Sequence, residues 1–145
     1  MRKTLLIITA LMLIVGCSKP IDGNTLIKST GGLMYAPGSD KPYSGEAVWY
    51  YDNGQKKLEA TYKDGEEIEW TEWEYYQNGQ KEREKTYKDG KLDGKWTDWY
   101  DNGQKESEAT YKDGSLDGLH TEWNENGKKR IENIYKNGIE IEWTE

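Results

Sequence analysis

In 145 residues the sequence has no phenylalanine, one histidine, one cysteine and three prolines. Each shortage excludes something. A lone cysteine, Cys17, leaves no intramolecular disulfide to staple the chain. The lone histidine, His120, has no second histidine or nearby cysteine with which to build a zinc site or a nucleophile–base pair. From Cys17 onward there are 14 Leu, Ile and Val residues, too few for a thick aliphatic core. That scarcity, combined with high net charge, lies near the composition of disordered chains. Cations are short as well. Setting aside the first sixteen residues leaves 18 Lys and Arg against 27 Asp and Glu, a formal net charge of −9. A surface that acidic repels nucleic acid and anionic headgroups, so neither is an expected electrostatic partner.

Long apolar runs are missing too. The longest, Thr4 to Val15, has twelve residues, where a bilayer-spanning helix needs about 20. Behind Met1-Arg2-Lys3 it reads as the apolar part of a signal peptide. It leads into Ile14-Val15-Gly16-Cys17-Ser18, which resembles the bacterial lipobox. That resemblance implies cleavage before Cys17 and acylation there, and more than one acyl chain gives stable anchoring. Ser18 after the cysteine resembles lipoproteins sent on to the outer membrane of Gram-negative cells. The expected organisation is a lipoprotein signal peptide over 1–16, a lipidated N-terminus and flexible tether over 17–31, and a repeat domain over 32–145.

What the sequence does have is seven tryptophans and eleven tyrosines, and they recur. Asn-Gly occurs at Asn53-Gly54, Asn78-Gly79, Asn102-Gly103 and Asn126-Gly127, at steps of 25, 24 and 24. Tyr-Lys-Asp-Gly follows each after 11 residues, at 62–65, 87–90 and 111–114, with Tyr135-Lys136-Asn137-Gly138 as the fourth. Trp70-Thr71-Glu72-Trp73 returns as Trp96-Thr97-Asp98-Trp99, as His120-Thr121-Glu122-Trp123 and, shortened, as Trp143-Thr144-Glu145. Asn-Gly and Asp-Gly favour two-residue type I′ hairpin turns, because both central residues need positive φ. The Thr-, Tyr- and Trp-rich runs between them suit strands, and glycine every dozen residues argues against helix. The expected fold is all-β: a single-layer, twisted antiparallel meander of eight or nine strands.

Alternation assigns the faces. Ile139, Ile141 and Trp143 share one; Ile68 and Trp70 repeat this, as do Leu92, Gly94 and Trp96. Leu58, Ala60 and Tyr62 share a face, matched by Ser107, Ala109 and Tyr111. Trp99, three residues from Trp96, belongs on the opposite face unless a bulge intervenes. Gly32–Tyr35 and Tyr43–Tyr50, around the turn Ala36-Pro37-Gly38-Ser39, read as an N-terminal capping hairpin. Glu140, Glu142 and Glu145 guard the last strand against edge pairing.

Tyr87-Lys88-Asp89-Gly90-Lys91-Leu92-Asp93-Gly94-Lys95-Trp96-Thr97-Asp98-Trp99-Tyr100-Asp101-Asn102-Gly103-Gln104 closely resembles the bacterial MORN repeat variant. Lys41-Pro42-Tyr43-Ser44-Gly45-Glu46, followed by Tyr50-Tyr51-Asp52-Asn53-Gly54-Gln55, resembles its opening copy. The resemblance spans roughly 41–145. It implies the hairpin-repeat fold and a membrane-associated repeat protein, or an antitoxin-like protein of the YwqK family. An antitoxin role conflicts with export, since a toxin is usually met in the cytoplasm. The copy at Gly65–Trp70 lacks the second glycine, and two extra residues precede Asn78, so a local bulge is expected there.

No catalytic set emerges. His120 reads as a packing residue at a position held elsewhere by tryptophan. Asp89 and Asp93 lack calcium-loop spacing and fit turn chemistry, and the Ser/His/Asp, P-loop and dinucleotide patterns are missing. No cofactor or metal is expected. The candidate recognition feature is an aromatic ladder of Trp73, Trp99 and Trp123 with Tyr50, Tyr75 and Tyr100. It points to a non-enzymatic protein-interaction module at the bacterial cell envelope, with cell-wall glycan as the alternative ligand.

Overall fold

The computed structural model describes residues 19–141. Cys17, the signal segment and Trp143, with Glu142 and Glu145, lie outside the described residues. The N-terminal part holds three short strands, β1 (Ile21–Asp22), β2 (Ile27–Lys28) and β3 (Met34–Tyr35), with a 3₁₀ turn at Gly23–Thr25. Nine strands then follow in sequence order. They are β4 (Gly45–Tyr50), β5 (Lys56–Lys63), β6 (Glu66–Tyr75), β7 (Lys81–Lys88), β8 (Lys91–Trp99), β9 (Lys105–Lys112), β10 (Ser115–Trp123), β11 (Lys129–Lys136) and β12 (Ile139–Ile141). Each pairs antiparallel with the next in one open sheet, and β1 adds a parallel edge beside β4. No helix among the described residues is long and apolar enough to cross a membrane.

The two turn families solve their geometry differently. At Asp64-Gly65, Asp89-Gly90, Asp113-Gly114 and Asn137-Gly138 both residues have positive φ, near 50° and 80°. These are the expected type I′ turns. The Asn-Gly turns are not. At Asn53-Gly54 only the glycine is left-handed, with φ 83°. The Gly54 N–H donates to the Tyr51 carbonyl at 2.9 Å, and the Tyr51 N–H donates to the Gln55 carbonyl at 2.8 Å. That is a three-residue loop, a tight turn closed by one left-handed glycine. Asn53 keeps an ordinary backbone because its Oδ1 accepts the Gln55 N–H at 3.0 Å. Asn78, Asn102 and Asn126 do the same.

Bulges also prove regular rather than local. Every strand leaving an Asn-Gly turn carries one unpaired residue, in turn Lys57, Glu82, Glu106 and Arg130. Near the Asp-Gly turns the register slips by one residue between β5 and β6, at the copy expected to bulge. It slips by two between β7 and β8 and between β9 and β10. Gly94 and Gly118 take φ of 112° and 137° at those larger slips, where a Cβ would stand 3.3 and 3.0 Å from Thr86 and Thr110. The copy without this glycine bulges least because a side chain there cannot come so close to its neighbour.

The N-terminal segment departs from expectation. Instead of a tether, residues from Ile21 onward fold over the first repeat. Ile21, Leu26, Met34 and Tyr43 pack with Trp49 and Trp70 on the buried Ala47, Ala60 and Tyr62. Nor do Gly32–Tyr35 and Tyr43–Tyr50 make one hairpin. The turn at Ala36–Ser39 forms, but β3 pairs with β2, touching Pro42 by a single bridge, while β4 pairs with β1 and β5. Sparse aliphatics explain this cap: with almost no second layer elsewhere, the segment carrying Ile21, Leu26 and Met34 supplies one locally.

Candidate functional site

Register divides the sheet into two chemically distinct faces. The first, here the cap face, carries Ala47, Ala60 and Trp70 in one row. Beside the Asp-Gly turns it presents aromatic pairs. Tyr43 and Tyr62 lie 6.0 Å apart, Trp70 stacks on Tyr87 at 4.7 Å and 8°, and Trp96 meets Tyr111 at 5.8 Å. His120 meets Tyr135 at 6.1 Å, so the histidine does take the packing place of Trp70 and Trp96. Its Nε2 is also 3.8 Å from the Glu122 carboxylate. The cap buries Tyr62 to 6% exposure, whereas Tyr87, Tyr111 and Tyr135 are only partly buried.

Toward the Asn-Gly turns the same face becomes polar. Arg83 donates through Nε to Asp98 at 2.7 Å and through Nη1 to Glu74 at 3.4 Å, and Ser107 donates to Asp98 at 3.2 Å. Arg130 stands 3.3 Å from Glu122. The Trp70 indole donates to Glu72 at 3.1 Å, while the buried Trp96 Nε1 has no partner. Its counterpart carboxylate, Asp98, is one methylene shorter than Glu72 and already engaged. Lys85 and Arg83 instead lie over the Trp96 ring, 4.6 and 5.7 Å from its centre, a favourable place for cations.

The opposite face is built on threonine. A row runs Glu84, Thr97, Glu108, Thr121, Glu132 across β7 to β11, with Thr97 and Thr121 buried between longer neighbours. Thr71 and Thr86 hydrogen-bond at 3.2 Å. Trp73 lies beside Glu84 in register, so the second tryptophan does point away from the first. Lys56, Lys81 and Lys105 cover the rings of Trp73, Trp99 and Trp123, 5.5, 5.4 and 5.9 Å from the centres. The same lysines pair with Glu59, Glu84 and Glu108.

The expected six-member aromatic ladder therefore divides. Trp73, Trp99 and Trp123 form a series on the threonine face, already screened by lysine. Tyr50 is half-exposed at the end of β4, and Tyr75 packs edge-on against Tyr51 at 6.0 Å. The true tyrosine series is Tyr51, Tyr76 and Tyr100. Their hydroxyls donate to the carbonyls of Trp73, Trp99 and Trp123 at 3.0, 2.7 and 2.8 Å. Each is the residue just before its Asp-Asn-Gly or Gln-Asn-Gly loop, the signal that separates Tyr51 and Tyr76 from their neighbours. The hairpin tips add a second tie between repeats: Asn78 and Asn102 donate to the Asp101 and Glu125 carbonyls at 2.6 and 2.8 Å.

Chemistry is sparse. Among the described residues no three His, Cys, Asp or Glu side chains come together to hold a metal. Asp93 and Asp117 serve turns, accepting the Asp113 and Asn137 backbone N–H groups at 3.1 and 3.3 Å. The concavities are open and shallow. One of about 590 Å³ lies between Tyr51, Glu74, Tyr76 and Glu82, and one of about 330 Å³ between Arg83, Asp98, Glu106 and Arg130.

The threonine face has a pH signature. Hydrogen bonds from Lys105 foremost, and from Lys95, hold the Glu108 carboxyl below its ordinary pKa against the opposing effect of burial. Because that folded value lies below the unfolded one of about 4.3, the pairing stabilises the fold above that pH. Its contribution disappears as the pH falls through the lowered folded value. Thermal melts from about pH 6 to about pH 3 are expected to lose Tm more steeply in the wild type than in Glu108→Gln; parallel curves would show that the pairing contributes nothing.

Hairpins that bond in series into one open sheet define a β-repeat protein. The chain belongs to the MORN repeat variant family, whose model matches residues 43–64, 65–89, 92–113 and 116–137. Repeats of this family are non-catalytic modules that generally mediate contacts with proteins or membranes. No curated protein and no solved structure matches the chain.

Proposed function

We propose that this protein is a non-enzymatic protein-interaction module tethered to a bacterial cell envelope by lipid on Cys17. The observation that carries the interaction reading is the unequal covering of the cap face. The chain's own segment closes that face over the first repeat, whereas the equivalent tyrosines Tyr87, Tyr111 and Tyr135 of the later repeats are only partly buried. The anchoring part rests on the lipobox-like Ile14–Ser18. An acidic domain is poorly suited to hold an anionic bilayer by charge, so the lipid does that work. Sugar stacking on Trp73, Trp99 and Trp123 is disfavoured, because a lysine already occupies each ring.

The test is fractionation of a bacterial host expressing the chain with and without Cys17→Ser. Membrane association lost in the variant is the expected result. Soluble cytoplasmic protein in both cases would overturn the anchor and favour the antitoxin-like alternative.

A further inference from the structure

We infer that Asn126 is a site of self-modification, where the loop closes its own backbone on the side chain and converts asparagine into aspartate and isoaspartate. The chemistry needs only water. The Gly127 backbone nitrogen attacks the Asn126 amide carbon and gives up its proton to solvent. A C–N bond forms, the bond to Nδ2 breaks, and ammonia leaves. Water then opens the resulting five-membered succinimide at either carbonyl, leaving a normal or a β-linked aspartyl bond. Glycine in the following position puts no side chain in the way of the attack.

Five Asn-Gly pairs share that chemistry, at Asn53, Asn78, Asn102, Asn126 and Asn137, and all five asparagines are exposed. The fold separates them by the atoms it holds. In the four three-residue loops the attacking nitrogen is held alike. The N–H groups of Gly54, Gly79, Gly103 and Gly127 donate to the carbonyl three residues earlier, at 2.9, 2.9, 2.9 and 2.8 Å. Each asparagine Oδ1 also accepts the N–H two residues on. The difference lies at Nδ2. Asn53 donates to Gln55 Oε1 at 2.7 Å, and Asn78 and Asn102 donate to the Asp101 and Glu125 carbonyls of the next hairpin. Asn126 Nδ2 makes no hydrogen bond among the described residues.

Two changes of sequence loosen the same loop. Tyr51, Tyr76 and Tyr100 open the first three loops and tie them through their hydroxyls to the next repeat. Asn124 stands at that place in the fourth. The first three loops close on Gln55, Gln80 and Gln104, of which Gln55 reaches the Gly79 carbonyl at 2.7 Å. Lys128 closes the fourth. Asn137 is protected in another way. The Gly138 N–H donates to the Leu116 carbonyl at 2.7 Å, so its nucleophile is held by β10, a strand outside its own hairpin. Asn126 therefore reaches a reactive geometry with the fewest bonds to break.

The test incubates the purified full chain at mildly alkaline pH, in buffer and in urea, and follows each asparagine by tryptic mass spectrometry. The five pairs fall in five different tryptic peptides, and electron-based fragmentation separates isoaspartate from aspartate and Asn126 from Asn124. In urea the five should convert at similar rates. In the native protein Asn126 is expected to convert at least about tenfold faster than Asn78 and Asn102, the weight of the missing hydrogen bonds in local opening. Combining Tyr100→Phe with Gln104→Lys should speed Asn102 by about fivefold and leave Asn53 unchanged, with a circular dichroism melt to establish that the variant is folded. Native Asn78 or Asn102 converting as fast as Asn126 would overturn the proposal. So would an Asn126 that stays intact in buffer while Asn137 converts, or an Asn102 indifferent to the double substitution.

Discussion

Replacing Gly23 with alanine is expected to unseat the N-terminal cap and lower Tm by about 10 °C. Gly23 is buried in the 3₁₀ turn that Asp22 closes by accepting the Asn24 N–H. A Cβ built there would stand 2.0 Å from Trp49 Cε2 and 2.2 Å from Cδ2, well inside any real contact. An indole fixed between the sheet and the cap cannot step aside without opening the layer. Overpacking of this kind costs about 3 kcal/mol, and each kcal/mol shifts Tm by roughly 3–4 °C in a domain of this size. Gly31→Ala is the control, since its nearest neighbour would be 3.8 Å away. Circular dichroism melts of the two variants decide the matter. If they melt together, the cap is not the second layer described here.

The other large effect distinguishes two turns of identical sequence. Gly65 and Gly90 both follow Lys-Asp and both have positive φ, 84° and 78°. Alanine at Gly90 would meet nothing within 4 Å, so Gly90→Ala should cost only the left-handed strain of about 1–2 kcal/mol. At Gly65 the added carbon would lie 2.9 Å from Leu33 Cβ, 3.0 Å from Pro42 Cβ and 3.1 Å from the Met34 carbonyl. The Gly65 backbone also accepts the Met34 N–H at 2.9 Å and donates to the Tyr43 carbonyl at 2.7 Å. Gly65→Ala should therefore exceed Gly90→Ala by about 2 kcal/mol, read as a difference in urea midpoints. Equal losses would mean that the first turn does not bear the cap.

The period, the strands and the alternation of faces were legible in the sequence because turn glycines and cross-strand pairs act locally. Trp70 and Trp73 fall on opposite faces because nothing within β6 interrupts the two-residue alternation between them. The choice among neighbouring tyrosines was not legible. Tyr50 and Tyr51 differ only in which stands at the loop, and that depends on whether the Asn-Gly loop has two residues or three. A dipeptide favouring type I′ turns was overridden by the Asn53 side chain, which satisfies the Gln55 N–H without left-handed backbone at asparagine. The cap was hidden for a different reason. Ile21, Leu26 and Met34 lack any periodicity, and their burial depends on a sheet that begins only at Gly45, more than ten residues further along the chain.

The one-sided cap has a further consequence for length. From β5 onward each strand bonds only to its sequence neighbours, and the ties from Tyr76 to Trp99 and from Tyr100 to Trp123 join consecutive repeats alike. Deleting or duplicating an internal unit such as 92–113 with its Asn-Gly loop would leave both termini intact and alter reach by about 10 Å. The protein is in this sense a ruler, graduated in hairpins, whose zero mark is the cap.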